Sequence, residues 1–281
     1  MAKPGRVTSV SDMLVDAYGQ RHERAEGCVR IVSLVPSITE LLFDLDLGTQ
    51  VVGRTGFCIH PRDAVRRVPK LGGTKDVDMN AVLALAPSHV VVNIDENTRE
   101  TFEQLRTRVP HVVVTHPNTP IDNLELFALL GGIFDREARA ATLAADFRAA
   151  LTSLHSALAH QPPRRVLYLI WREPWMTVSA DTYIANMLAL LGWQTVPRES
   201  DQRYPTLSAG ALGGLQADLC LLSSEPYPFR DKHMSEVRHL LGGSTPVHLI
   251  DGEMVSWYGS RAIEGLRYLA SYANAVCASA A

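Results

Sequence analysis

The sequence has no long hydrophobic run and no marked excess of charge of either sign. Its longest purely apolar runs are about five residues, whereas a helix that spans a bilayer needs roughly 20. The 27 lysines and arginines are balanced by 30 aspartates and glutamates, which gives a formal net charge of −3, and the cations form no long block. We therefore predict that the protein neither inserts into a membrane nor binds nucleic acid.

Cysteine is scarce, and residues 1–27 lack the features of an export signal. The four cysteines, Cys28, Cys58, Cys220 and Cys277, are scattered and include no C-x-x-C pair. Two distant disulfides are one interpretation, and free thiols in a reducing compartment are the simpler one. Residues 1–27 contain no continuous apolar stretch followed by a cleavage site. The sequence thus predicts a cytoplasmic location, with a periplasmic one as the alternative if the start is mis-assigned.

Short apolar runs bounded by Pro, Gly, Asn or Asp alternate with helical patterns along most of the chain. The predicted strands are residues 29–35, 50–54, 89–94, 111–115, 165–170, 218–223 and 247–250. The predicted helices are residues 37–47, 80–85, 98–108, 122–133, 182–191, 209–215, 232–241 and 260–276. This alternation predicts an α/β fold with parallel sheets that are covered by helices on both faces.

Echoes between the two halves indicate two copies of one lobe. The segment RIV at residues 30–32 is echoed by RVL at residues 165–167, and VPHVV at 109–113 is echoed by TPVHL at 245–249. Between the copies, residues 135–160 contain neither glycine nor proline and carry an apolar stripe at helical spacing. We therefore predict two parallel-sheet α/β lobes, residues 29–134 and 164–281, joined by a single long helix within residues 135–163, with a ligand cleft between the lobes.

The first 28 residues form an extension whose role the sequence leaves open. Val10, Met13, Leu14 and Ala17 have helical spacing, and Ser11 is placed to help cap a helix. A helix docked on a lobe is the favoured interpretation, and a disordered tail is the alternative.

Several of these segments resemble the helical-backbone (class III) periplasmic substrate-binding proteins, and the cobalamin and iron-siderophore branch most closely. The resemblance is carried by RIVSLVPSITELL at residues 30–42, VPKLGG at 68–73, LALAPSHVVV at 83–92 and the segment from Trp257 to Arg261 before a final helix. It extends over about residues 29–277. It implies a receptor for a metal chelate, such as a corrinoid or a ferric siderophore-like compound. Such a receptor is not an enzyme and requires no cofactor, and a bound corrinoid or other metal chelate would be its cargo.

In open parallel sheets, ligands bind beyond the carboxyl ends of the strands, so the loops that follow the strands are the candidate ligand loops. Aromatic side chains concentrate there, as a large and partly apolar ligand requires. The candidate ligand-binding residues are Phe57, His60, Glu96, Trp171, Arg172, Trp175, Tyr204, Tyr227, Asp251, Trp257, Tyr258 and Arg261.

Metal ligands are also present among these loops. Cys58, His60 and His116 could bind a bare zinc-type ion, with Glu96 or Asp251 as a further ligand. Alternatively, His60 or His116 reaches the metal of a bound chelate, or both imidazoles only bond loop carbonyls. An enzyme that uses the cleft is a further alternative, although no G-x-S-x-G, P-loop or G-x-G-x-x-G motif occurs.

The sequence also departs from the family at four positions. The glutamates that such receptors present to an ABC transporter fall near Pro69 and Gly210, and neither residue is acidic. Two cobalamin-facing tryptophans of the family fall near Thr74 and Ile94. We therefore expect that the protein is not a standard exported receptor and that its docking to an ABC transporter is doubtful. The sequence does not indicate an oligomeric state.

Overall fold

The computed structural model describes residues 14–157, 162–198 and 200–278. This chain divides into two compact units. The first consists of the described residues up to Pro117 together with Ile121–Phe147, and the second consists of Asn118–Pro120 and the described residues from Arg148 onward. The fold class predicted from the sequence, two α/β lobes with parallel sheets and covering helices, is confirmed.

The first unit alternates strands and helices as the apolar runs predict. Its elements are β1 (Ile31–Ser33), α1 (Pro36–Asp44), β2 (Val51–Arg54), α2 (Arg62–Val65), α3 (Met79–Ala84), β3 (His89–Asn93), α4 (Arg99–Arg106), β4 (His111–Thr115) and α5 (Asp122–Ile133). The four strands form one sheet in the order β2-β1-β3-β4, and every pair is parallel. Because helices cover such a sheet, β3 is buried along its whole length.

The helix α6 (Glu137–Ala157) follows α5, and the division between the units falls within it. It lies within the helix predicted for residues 135–160, of which residues 158–160 are outside the described residues. It begins after Asp135, which adopts a positive φ of 58° that separates α6 from α5. Leu143, Phe147 and Leu154 of the predicted apolar stripe are buried.

The second unit contains β5 (Arg164–Trp171), β6 (Trp175–Thr177), α7 (Tyr183–Ala189), β7 (Trp193–Thr195), β8 (Thr206–Leu207), α8 (Ala209–Gly214), β9 (Leu219–Ser223), α9 (Asp231–Leu240), β10 (Val247–Ile250), α10 (Gly252–Ser256) and α11 (Arg261–Ala278). Its sheet has the order β10-β9-β5-β6-β8, and β7 pairs with β5. The pairs of β5, β7, β9 and β10 are parallel, whereas β6 pairs antiparallel with both β5 and β8. The antiparallel extension was not predicted, because strands of two or three residues are too short to show a periodic pattern.

The described part of the N-terminal extension contains no helix, so the helical interpretation is wrong for residues 14–28. Val10, Ser11 and Met13 lie outside the described residues. Asp16 and Ala17 instead bond the outer edge of β4: the Ala17 amide donates to the Val114 carbonyl at 3.0 Å, and Asp16 Oδ2 accepts from the Val114 amide at 3.0 Å. The extension therefore covers the free edge of the first sheet, which would otherwise expose unpaired backbone groups.

None of the helices in the described part of the chain combines the length and the apolar character needed to cross a membrane.

Candidate functional site

In the first unit, the loops that follow the parallel strands expose apolar side chains. Phe57 and Ile59 lie in the loop after β2 and are 63% and 46% exposed, and Ile94, directly after β3, is 49% exposed. A Cβ at Gly73 would lie 3.3 Å from Phe57 Cε2, so the ring rests against a backbone without a side chain. Folding alone does not favour this exposure, since each of these side chains would be more stable out of water.

A network of buried amides holds the ends of these loops. Asn97 Nδ2 donates to the Leu34 carbonyl at 3.2 Å and to the Thr74 carbonyl at 3.0 Å, and Asn97 Oδ1 accepts from the Asn93 amide at 2.9 Å. Asn93 Oδ1 in turn accepts from the Asp95 amide at 2.8 Å. The network joins the loops after β1 and β3 to residue 74. Neither asparagine was predicted as a site residue, although the N-x-x-x-N spacing at the end of a buried strand was a usable signal.

The structure gives no support to the bare-ion site predicted from Cys58, His60 and His116, which stays a prediction. Among the described residues, no group of three or more His, Cys, Asp or Glu side chains could hold a metal ion. The Cys58 thiol is buried, with Sγ 3.0 Å from Thr39 Oγ1 and 3.2 Å from Thr55 Oγ1. Burial raises the pKa of the thiol above its usual value, which disfavours the thiolate that binds metals.

His60 and His116, the two histidines of the predicted ion site, lie in different surroundings. His116 Nε2 lies 3.5 Å from Asp95 Oδ2, within the reach of an ion pair. His60 is half-buried and precedes Pro61 through a cis peptide bond. Glu96, also half-buried, lies in the loop after β3, and its amide donates to Asn93 Oδ1 at 3.3 Å. The assignment of His60 and Glu96 to ligand binding stays a prediction.

In the second unit, Trp171 and Tyr227 form an accessible aromatic pair. Trp171 ends β5 and is 39% exposed, and its ring meets the half-buried Tyr227 ring edge-on at 5.8 Å. Tyr227 lies in the loop after β9 and also contacts Phe229 and His233. Two loops that follow neighbouring parallel strands thus join at this pair.

Arg172 is already bound by carboxylates of its own lobe. Its Nε and Nη2 atoms donate to the Glu236 carboxylate at 3.0–3.3 Å, and Nη1 lies 2.8 Å from Glu173 Oε1. Its guanidinium carbon lies 5.9 Å from the centre of the Trp175 ring. The hydrogen bonds that Arg172 donates to Glu236 raise the pKa of its guanidinium further above its usual range.

Trp175, Trp257 and Tyr258, three of the candidate ligand-binding residues, are buried. They are only 8%, 7% and 6% exposed. Trp175 lies in the hydrophobic core of the second lobe and stacks on Phe229 at 6.3 Å. The antiparallel strand β6, which begins at Trp175, turns this side chain inward while Trp171 stays at the surface. The Tyr258 ring meets Tyr183 edge-on at 5.8 Å.

Glu225 is the carboxylate around which the loops after β9 and β10 meet. Its Oε1 accepts from Ser256 Oγ at 2.6 Å and from Trp257 Nε1 at 2.8 Å. A Cβ at Gly252 would lie 2.6 Å from Glu225 Cγ, so this contact requires glycine. Burial, aided by the charges of Glu253 and Asp251, raises the pKa of the Glu225 carboxyl above its usual value.

The other predicted residues of this lobe lie around Glu225 or outside the loops. Asp251 begins α10, and its Oδ1 accepts from the Glu253 amide at 3.0 Å. Arg261 lies 3.4 Å from Glu253 Oε2, and its guanidinium carbon is 5.1 Å from the centre of the Trp257 ring. Tyr204 is half-buried and precedes β8, outside the loops that follow β5, β9 and β10.

This arrangement of loops beyond parallel strands on two α/β units agrees with the comparison to known families. The model of the periplasmic binding protein family matches residues 31–239. The chain belongs to this family. The Vitamin B12-binding protein of Yersinia pestis (strain Pestoides F) is 23% identical over 185 residues, which are 66% of this chain and 65% of that protein. The match therefore spans less than two thirds of this curated relative.

Solved structures of other periplasmic binding proteins share the fold. The periplasmic Vitamin B12 binding protein BtuF of Vibrio cholerae has a TM-score of 0.74 at 18% identity, over 87% of this chain and 96% of that chain. The periplasmic heme-binding protein RhuT from Roseiflexus sp. RS-1 also has a TM-score of 0.74, at 22% identity, over 88% and 98% of the two chains.

Membership in a family of periplasmic binding proteins overturns the predicted cytoplasmic location. That prediction relied partly on the scattered cysteines, none of which forms a disulfide. Cys58 and Cys220 are buried and therefore shielded from oxidants in any compartment, so their state does not identify one. Membership in this family gives no support to the expectation that the protein is not a standard exported receptor or that its docking to an ABC transporter is doubtful.

Proposed function

We propose that the protein is an extracytoplasmic substrate-binding protein for a large metal chelate of the corrinoid, heme or siderophore type, and that it works with an ABC transporter. Family membership and the relatives named as binding vitamin B12 or heme support this proposal. Binding proteins of this kind capture and release a ligand without changing it, so we propose no catalytic role.

The observation that carries the proposal is the position of the exposed apolar side chains. Seven large hydrophobic residues are exposed in the described chain, and four of them, Phe57, Ile59, Ile94 and Trp171, lie in the loops after parallel strands or at the end of such a strand. Ligands bind at these strand ends in open α/β sheets. Apolar contact with a macrocycle would stabilise the complex by about 25 cal/mol per Å² removed from water, offset in part by lost freedom.

The proposed contacts are Phe57 and Trp171 as apolar walls, with Tyr227 supporting the Trp171 ring. His60 and Glu96 are proposed as polar neighbours in the first lobe. Trp257 and Tyr258 are proposed to act from below the surface, because both are buried and the Trp257 ring lies against Arg261 at the start of α11.

Titration calorimetry with cyanocobalamin, dicyanocobinamide, hemin and ferrichrome tests the proposal. We expect micromolar or tighter binding of at least one, and a loss of about 2 kcal/mol in Trp171→Ala or Phe57→Ala. Tyr18→Ala is the matched control, since Tyr18 is 55% exposed but lies in the N-terminal extension against Phe102. Failure of all four compounds to bind, or an equal loss in the control, would contradict the proposal.

A further inference from the structure

The guanidinium groups at the strand ends of the second lobe are engaged by carboxylates of that lobe. Arg172 is bound by Glu236 and Glu173, and Arg261 lies 3.4 Å from Glu253. An arginine that recognises an anionic ligand needs its donor fork available for carboxylate or phosphate oxygens. These two arginines would have to give up an existing ion pair to do so.

Glu225, by contrast, retains an acceptor. Both of its hydrogen bonds, from Ser256 Oγ and Trp257 Nε1, are made to Oε1. Oε2 has no hydrogen-bond partner among the described residues, and it is not among their enclosed polar atoms. The carboxylate is held in one orientation by two donors to Oε1 and by close packing of its Cγ on Gly252, so the direction of Oε2 is fixed as well.

The surroundings of Glu225 add two carboxylates, and the guanidinium of Arg261 beside Trp257 is paired with one of them, Glu253. Asp251, at the start of α10, and Glu253 both raise the pKa of Glu225 through their charge. Tyr227 and Trp171 supply the nearby apolar surface. The loop face therefore combines an aromatic wall with fixed carboxylate oxygens.

We propose that Glu225 is a specificity-determining residue that selects a chelate bearing amide or other N–H donors and disfavours one bearing carboxylates. This inference rests on the proposed function, because it names the class of chelate that the same loops bind. A donor-bearing side chain would bond Oε2, whereas a carboxylate there would meet an acceptor and a like charge.

A pair of corrins that share one ring separates this inference from the proposed function. Dicyanocobinamide carries amide side chains, and dicyanocobyrinic acid carries carboxylates at the same positions. We expect calorimetry to give at least tenfold tighter binding of dicyanocobinamide to the unmodified protein. Glu225→Gln keeps an oxygen for Ser256 and Trp257 but replaces the second oxygen with a donor, and it should weaken dicyanocobinamide binding about tenfold.

Asp218→Asn is the matched control for Glu225→Gln. Asp218 precedes the same strand, β9, at its opposite end, where it accepts from the Arg165 amide at 2.7 Å. Asp218→Asn removes the same charge as Glu225→Gln and should leave the affinities for both corrins within twofold of those of the unmodified protein. Glu236→Gln tests whether the pairing of Arg172 disfavours ligands that bear carboxylates. The substitution frees part of the Arg172 guanidinium and should tighten binding of dicyanocobyrinic acid.

Each outcome has a separate meaning. Equal or tighter binding of dicyanocobyrinic acid, tightest binding of hemin with its two propionates, or an unchanged affinity in a folded Glu225→Gln variant overturns the inference and leaves the proposed function standing. If neither corrin, hemin nor ferrichrome binds, the proposed function fails and the inference fails with it.

Discussion

The two lobes hold their candidate ligand loops with different chemistry. In the first lobe, the neutral amides of Asn93 and Asn97 bond backbone groups, and the side chains left exposed are aliphatic or the single ring of Phe57. In the second lobe, the loops are held by an arginine bound to carboxylates and by a buried glutamate that accepts from an indole. One strand–loop–helix plan therefore accommodates two sets of loop contacts, because the sheet fixes only where the loops begin.

The two lobes also differ in where their aromatic side chains lie. The second lobe buries Trp175 beside Phe229 in the cluster that contains residues of β5 and β9, whereas the cluster that contains residues of β1, β3 and β4 in the first lobe has only aliphatic buried members, and Phe127 and Phe147 are buried on helices of that unit. Aromatic rings in the second lobe thus serve both the core and the loop surface. Substitutions can separate these two roles.

The largest expected effect is on the folding of the second lobe. Trp175→Ala should lower the free energy of unfolding by about 3–5 kcal/mol, because it removes a buried ring and leaves a cavity. Trp171→Ala, four residues earlier, should cost less than about 1 kcal/mol of stability, since that ring is already partly in water. Denaturant unfolding followed by circular dichroism measures both. Similar losses in the two variants would show that the two rings do not have separate roles.

The next effect concerns acid sensitivity in the first lobe. Burial, aided by the charge of His111, lowers the pKa of His89 to about 4 from its usual 6.5. Between these two pH values, His89 therefore binds a proton in the unfolded chain but not in the folded lobe. The free energy of unfolding should fall as the pH drops from 6.5 to about 4, by roughly 3 kcal/mol at most. Unfolding curves at several pH values should show a flatter dependence for His89→Gln than for His111→Gln. Parallel curves for these two variants would contradict this assignment.

A smaller effect is expected from the amide network. Asn97→Ala removes two donors and one acceptor from buried backbone groups and should cost about 2 kcal/mol of stability. Asn97→Asp keeps the acceptor for the Asn93 amide and should recover part of the loss. Hydrogen exchange measured by mass spectrometry should show faster exchange in peptides that contain residues 74 and 93–97. A change confined to other peptides would indicate that the network does not hold these loops.

The smallest effect on folding is expected at Phe57. Phe57→Ala should change the free energy of unfolding by no more than about 0.5 kcal/mol, since the ring is mostly in water. The same variant is expected to weaken ligand binding. Thermal melts should therefore show a nearly unchanged melting temperature without ligand and a smaller increase of the melting temperature when ligand is added. Destabilisation of the free protein by more than 1 kcal/mol would indicate that Phe57 serves the fold.

The alternation of strands and helices was predictable because each buried strand is a continuous apolar run and each helix has its own period. Residues 111–115 and 122–133 were predicted with the bounds that the structure has for β4 and α5. Strands β6, β7 and β8 were not predicted, since two or three residues carry no period and pair only because β5 is already in place.

The candidate site was less predictable because exposure depends on packing that no local pattern reports. Trp171 and Trp175 are the same residue type in one loop, yet only the pairing of β6 with β5 turns Trp175 into the core. Cys58 and His60 have the spacing of metal ligands, but Thr39 and Thr55 bond the thiol inside the lobe. Glu225 lay among the loop residues, and its two donors come from a segment more than 30 residues later.

The sequence by itself determined the fold class, the position of the long helix and the loops at which ligands are expected, because apolar periodicity and strand ends are local properties. Only the tertiary structure decided that Asp16 and Ala17 bond the edge of β4, that Arg172 is bound by Glu236, and that Ser256 and Trp257 both donate to one oxygen of Glu225. These contacts join residues that are distant in sequence. Their contribution to stability depends on which polar groups are buried away from water.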